Sequence, residues 1–176
     1  MVVYTKRGDK GKTMLLGSQM LVAKDSPVVN ALGAIDEANS YLGVIVADSN
    51  DKILKRILLK IQNNLFTINS ILAGAKLKLA ESNVKDLENI IDKIEPKLPI
   101  LKNFVIPGGP KISAKLMYAR SLIRRAEREV VGISKKLKVK NNIGILAYLN
   151  RLSDTLFILA RQETYKKGKK ETIWHS

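Results

Sequence analysis

From Ile53 to Leu72, through Ile57, Ile61, Leu65 and Ile68, isoleucine and leucine recur with the spacing of an amphipathic α-helix. Asp51 stands just ahead as a candidate N-cap. The spacing predicts a core helix over 51–73, whose apolar stripe must be covered by something of the same kind. Other stretches supply the cover. Val28, Leu32, Ile35, Leu42 and Ile45 mark a helix over 28–47, after the start signals Asp25, Ser26 and Pro27. A shorter helix is expected over 83–95, opened by Asn83 and closed before Pro96 and Pro99. A fourth runs from Ile112 to about Leu137. A fifth runs from about Asn142 to Lys167, with Ile145, Leu149, Leu152, Leu156 and Leu159 facing inward. Strand signal is confined to short runs near Val2 and Val105. The expected fold is therefore all-α, a five-helix bundle of four long helices and one short one.

With 176 residues and 45% hydrophobic content, residues 1–176 are read as a single domain with a real core. Cysteine is absent and His175 is the only histidine, which excludes disulfides and argues against zinc chemistry. The opening MVVYTKRGDKGKT has no apolar core of signal-peptide length, and no run approaches a membrane span. A soluble protein of the cytoplasm is expected. The net charge of +15 attracts nucleic acid, acidic membranes or phosphorylated small molecules alike.

Charge is concentrated in the fourth helix, at Arg120, Arg124, Arg125, Glu127 and Arg128. At about 100° per residue, Arg120, Arg124 and Glu127 fall within roughly 60° of one another, while Ala119, Ile123, Ala126 and Val130 share a different face. Guanidinium forks one turn apart suit a multiply charged anion, although composition alone favours a merely solvated basic face. Two glycine-bearing loops add to this. In Thr5–Thr13 the end Gly11, Lys12, Thr13 imitates a P-loop, but the glycine required five positions earlier is Lys6 and no buried strand precedes it. Its local chemistry survives the failed match: free backbone N–H groups, four cations, and Asp9 to orient phosphate or water near a metal. A flexible terminus is an equal alternative. The second loop, Ile106 to Lys111, opens into the arginine helix as either an anion site or a plain turn. Phe104, just before it, has buried core as its default role.

Three stretches together resemble the trimeric, PduO-type ATP:cob(I)alamin adenosyltransferases. The first comprises YTKRGDKGKT at Tyr4–Thr13, KDSP at Lys24–Pro27 and GAIDEANSYLG at Gly33–Gly43. The second is FVIPGGPKISAKLMYARSLIRRAEREVV at Phe104–Val131, and the third YLNRLSDTLFILAR at Tyr148–Arg161. They cover nearly half the chain in the family's order. The resemblance implies a five-helix bundle assembling as a homotrimer with active sites between subunits. It further implies transfer of the 5′-deoxyadenosyl group of ATP to the cobalt of a reduced corrinoid, with release of triphosphate.

On that resemblance, Thr5, Lys6, Gly8, Asp9, Gly11, Thr13 and Lys24 would wrap the triphosphate. Arg124, Glu127, Arg128 and Asn150 would complete the ATP site from the neighbouring subunit, with Arg124, Glu127 and Phe104 as the catalytic set. Asp36 would pair with Arg120 across the interface, and Phe104 would wall the corrin face. Cobalt(I) is itself the nucleophile, so no serine, cysteine or histidine base is needed, only alignment of C5′ and stabilisation of the leaving triphosphate. Mg2+ is expected through the ATP phosphates rather than a protein cage. A reductase and a cobalamin-dependent enzyme are implied partners. Arg7 stands where the family commonly has threonine, and Lys12 where a small or neutral residue is common. Trp174 covers the corrin or lies on the surface, the latter slightly preferred. The rival readings are a nucleic-acid-binding helical protein, which these few aromatics do not favour, and an ATP-binding regulatory module without catalysis.

Overall fold

The computed structural model describes residues 4, 6–16, 21–134 and 142–175. A short antiparallel hairpin, β1 (Lys12–Met14) and β2 (Leu21–Ala23), leads into five helices: α1 (Pro27–Asp48), α2 (Lys52–Leu72), α3 (Glu81–Ile94), α4 (Lys111–Ser134) and α5 (Asn142–Lys166). One 3-10 turn, Glu95–Lys97, follows α3. The expected end of the fourth helix at Leu137 and the strand signal at Val2 lie outside the described residues. Among the described residues no helix is long and apolar enough to cross a membrane.

Local chemistry sets most boundaries. Asp51 is extended and its Oδ1 accepts from the N–H groups of Ile53 and Leu54 at 2.8 and 3.1 Å, the cap expected for α2. At α1 the start rests on Pro27 at the first helical position, whose ring presets φ; the Ser26 side chain makes no cap bond. Asn83 is not the cap of α3. That helix begins two residues earlier, after an extended Ala80, with the Glu81 carboxylate in its first turn where the helix dipole favours negative charge.

Helix α4 packs between α1 and α5, while α2 lies against α1 and α3 against α5. Small residues permit the close approach: Ala31 and Ala38 of α1 and Ala119 and Ala126 of α4 are fully buried. The α5 positions Ile145, Leu149, Leu152, Leu156 and Leu159 are buried as expected. On α2 the seam coincides with the expected one from Ile61 to Leu72 and differs over the first two turns. It runs through Leu54, Leu58, Ile61, Leu65, Ile68 and Leu72, whereas Ile53 is 72% exposed. The opening four-residue steps of the expected stripe, from Ile53 through Ile57 to Ile61, drift by about 40° each, whereas steps that alternate four and three stay close to one line. The seam therefore enters at Leu54.

Two features position the site. The hairpin, which the periodicity did not foreshadow, pairs Lys12 with Ala23, Thr13 with Val22 and Met14 with Leu21. At the other end Val105 bridges Ile173, so the weak strand signal there is a single antiparallel bridge between the 98–110 loop and the tail.

Candidate functional site

The anion-binding candidates divide between two regions. In the first, Lys6 and Gly11 both adopt left-handed backbone, with φ of 58° and 72°. Gly11 does so without strain, and its carbonyl accepts from the Lys24 N–H at 2.9 Å, closing the loop beside the hairpin. The Lys24 ammonium lies over Gly8: a Cβ built there would meet Nζ at 3.3 Å. Lys6, Asp9 and Lys24 are exposed, Gly8 and Thr13 half-buried. The fold thus brings the Lys24 ammonium over the glycine backbone of the loop. Thr5 lies outside the described residues.

The second region is the polar flank of α4. Ala119, Ile123, Ala126 and Val130 are fully buried, which turns Arg124 and Arg128 outward as their spacing requires. Asn150 of α5 donates through Nδ2 to Glu127 Oε1 at 3.2 Å, orienting that carboxylate, and Arg128 donates to the Arg124 carbonyl at 3.2 Å. Arg125 is spent on an ion pair with Glu37 of α1. Arg124 has no ion-pair partner among the described residues, so its guanidinium is available to an anion. No hydrogen bond or ion pair among the described residues joins this flank to the loop of residues 6–13.

One turn before Arg124, the same helix enters an apolar cleft of about 700 Å³, lined by Phe104, Val105, Met117, Arg120, Phe157 and Trp174 among others. Arg120 lies 5.6 Å over the Phe157 ring, within reach of a cation–π attraction. Burial first, and the Arg124 charge second, pull the Arg120 guanidinium below its ordinary value, while Asp154 opposes them. Phe104 is 80% exposed at the cleft mouth, which corrects its default placement in the core. The backbone explains the exposure: its carbonyl accepts from the Trp174 N–H at 2.8 Å, so the loop is fastened to the tail rather than folded inward. Trp174 is 51% exposed, at the surface and on the cleft wall at once.

Asp36 is exposed on α1, lining a shallow groove with Leu16, Leu32 and Asn69. Neither it nor Arg120 forms an ion pair within the chain among the described residues. Phe157, Met117 and His175 were missed from sequence, because residues that line a cleft from α4, α5 and the tail share no local spacing. Among the described residues no group of three His, Cys, Asp or Glu could hold a metal.

Residues 3–163 match the family model described as cobalamin adenosyltransferase. The chain is 40% identical to a corrinoid adenosyltransferase of Bacillus subtilis, over 96% of this chain and 89% of that one. It is 36% identical to the corrinoid adenosyltransferase MMAB of Homo sapiens, over 98% and 72%. Among solved structures it is similar to a phenylalanine-to-alanine variant of the PduO-type ATP:corrinoid adenosyltransferase from Lactobacillus reuteri, complexed with cobalamin and ATP. The TM-score is 0.94 at 32% identity, covering 99% of this chain and all of that one. An arginine-to-lysine variant of the same enzyme, complexed with ATP, gives a TM-score of 0.91 at 32% identity, covering 98% and 100%.

Proposed function

The chain belongs to the cobalamin adenosyltransferase family, and from that premise we propose how its residues transfer the 5′-deoxyadenosyl group of ATP to cob(I)alamin, giving adenosylcobalamin and triphosphate. The observation that carries the reading is on α4. Arg124, which forms no ion pair among the described residues, stands one turn from Arg120, which lines a cleft walled by Phe104, Phe157 and Trp174. A triphosphate and a flat, largely apolar macrocycle are thereby served by adjacent turns of one helix.

In the transfer, the cobalt(I) electron pair forms the bond to C5′ while the bond from C5′ to the triphosphate oxygen breaks, its electrons leaving with triphosphate. No protein base takes part. Arg124 and Arg128 neutralise the leaving group, and Glu127, held by Asn150, orients the nucleotide. The loop residues Thr5, Lys6, Gly8, Asp9, Gly11 and Thr13, with Lys24, wrap the phosphates from a second copy of the chain. That arrangement accounts for the lack of any hydrogen bond or ion pair, among the described residues, between the loop and the α4 flank of one chain. The working unit is a homotrimer of single-domain chains, with the nucleotide loop in about residues 1–25 and Asp36 paired with Arg120 between subunits. Mg2+ would be held through the ATP phosphates and water, with the exposed Asp9 carboxylate of the loop the residue that would orient it. It would supply charge neutralisation of the triphosphate. Phe104 excludes the lower axial ligand of the cobalt, which eases reduction from the +2 state. The protein works in the cytoplasm, receives electrons from a reductase and passes its product to a cobalamin-dependent enzyme.

The test is ATP-dependent formation of the cobalt–carbon bond, followed by the absorbance change of the corrinoid with pre-reduced cob(I)alamin. Bond formation with release of triphosphate is expected. ATP binding without any bond formation would overturn catalysis and leave a nucleotide sensor.

A further inference from the structure

We infer that Arg161 is a positioning residue for the corrinoid cleft, acting as a clip that holds the tail and the Phe104 loop in one relative placement; the inference rests on the corrinoid transfer proposed above. Arg161 projects from α5 and is 4% exposed. Its Nε and one terminal nitrogen donate to the two carboxylate oxygens of Glu171 at 2.7 and 3.2 Å, and the same terminal nitrogen donates to the Pro99 carbonyl at 2.6 Å. One guanidinium therefore holds the tail through Glu171 and the start of the 98–110 loop through Pro99.

The chain is shaped to deliver Glu171 there. Beyond α5 the Thr164 carbonyl accepts from the N–H groups of Lys167 and Lys169, each at 3.2 Å, and Gly168 takes φ of 62°, turning the tail back along the helix. From Glu171 the tail runs into the bridge, with the Ile106 N–H donating to the Thr172 carbonyl and the Trp174 N–H to the Phe104 carbonyl, each at 2.8 Å. Thr164 fastens the far end of the same loop by donating to Ser113, whose hydroxyl donates to the Gly108 carbonyl at 3.3 Å. The loop is held at Pro99, at Phe104 and Ile106, and at Gly108. Two of these three anchorages pass through Arg161, directly or by way of the tail. Phe104 and Trp174, the aromatic residues it places, both line the cleft. Lysine could not replace it, because one ammonium does not present a planar fork and a further donor along three fixed directions.

Trp174 is the only tryptophan, so its fluorescence reads tail placement directly. The experiment compares wild type, Glu171→Gln, which keeps the shape and removes the charge, and Arg161→Lys. Acrylamide quenching of Trp174, helical circular dichroism, and KM for cob(I)alamin and for ATP are measured on each. Both variants are expected to keep wild-type helicity and to show increased quenching. KM for cob(I)alamin should rise roughly 5-fold or more while KM for ATP stays within about 2-fold, the pattern of lost placement on one substrate only. Unchanged quenching, or increased quenching with both KM values unchanged, overturns the clip. Equal loss for both substrates does so too, since it marks a general structural role. A wild-type chain that forms no cobalt–carbon bond instead removes the reading on which the clip rests, and is recognised before any variant is compared.

Discussion

Arg124 faces solvent on α4, contributes nothing to the seam against α1 and α5, and has no ion-pair partner among the described residues. Its removal should therefore leave folding intact and act on turnover alone. Arg124→Ala is expected to lower turnover by about 2 to 4 kcal/mol of transition-state stabilisation, as for loss of a donor aimed at developing charge, with an unchanged melting temperature. Steady-state kinetics beside thermal unfolding check both halves. At 80% exposure Phe104 has little packing to lose, so Phe104→Ala should change stability by no more than about 0.5 kcal/mol. The variant should still bind ATP, yet adenosylate poorly when starting from the +2 cobalt, with activity recovered on pre-reduced corrinoid. A large fall in melting temperature with normal turnover would return Phe104 to a packing role.

Among elements, α2 is tied down at its first turn. Its apolar seam begins at Leu54, directly after a cap that satisfies two amide donors, and Asp51 also accepts from Lys166 of α5 at 2.6 Å through its second oxygen. Lys166 foremost, then the Leu54 amide, hold the Asp51 carboxyl below its ordinary value of 3.8. The ionised form is the one the fold favours. Its contribution is thus complete above that ordinary value and is lost as pH falls through the depressed folded value. Asp51→Ala should cost about 1 kcal/mol at neutral pH, the usual worth of a cap, and the gap from wild type should close on acidification below the ordinary carboxylate range. Denaturant midpoints measured at neutral and acid pH decide it; a gap that widens in acid contradicts the assignment.

For the molecule as a whole, the proposed assembly draws on charges that form no ion pair among the described residues. Asp36 is exposed on α1 and Arg120 is half-buried, and neither forms an ion pair among the described residues. Their pairing between subunits would give each its counter-charge. Asp36→Asn is expected to weaken the trimer or its activity, because a partly buried guanidinium left unpaired costs several kcal/mol. Sedimentation and kinetics both matching wild type would exclude that pairing and leave Asp36 an ordinary surface carboxylate.

The periodic record of the chain was enough for the five helices, the inward face of α5, the Asp51 cap and the outward turn of Arg124, because each depends on residues three or four apart along one rod. The expected stripe of α2 departs from the buried seam only at Ile53 and Ile57, where repeated four-residue steps leave the line that Leu54 and Leu58 occupy. The hairpin escaped notice because two three-residue strands carry too little pattern. The exposure of Phe104 and the burial of Arg161 were beyond any local reading, for a different reason. Phe104 stays outside because its backbone pairs with that of Trp174, beyond two intervening helices in the chain, and Arg161 is buried because a loop and a tail both close upon it. An apolar ring or a guanidinium has no placement of its own; the distant backbone that satisfies or covers it assigns one, and only tertiary structure brings that backbone near.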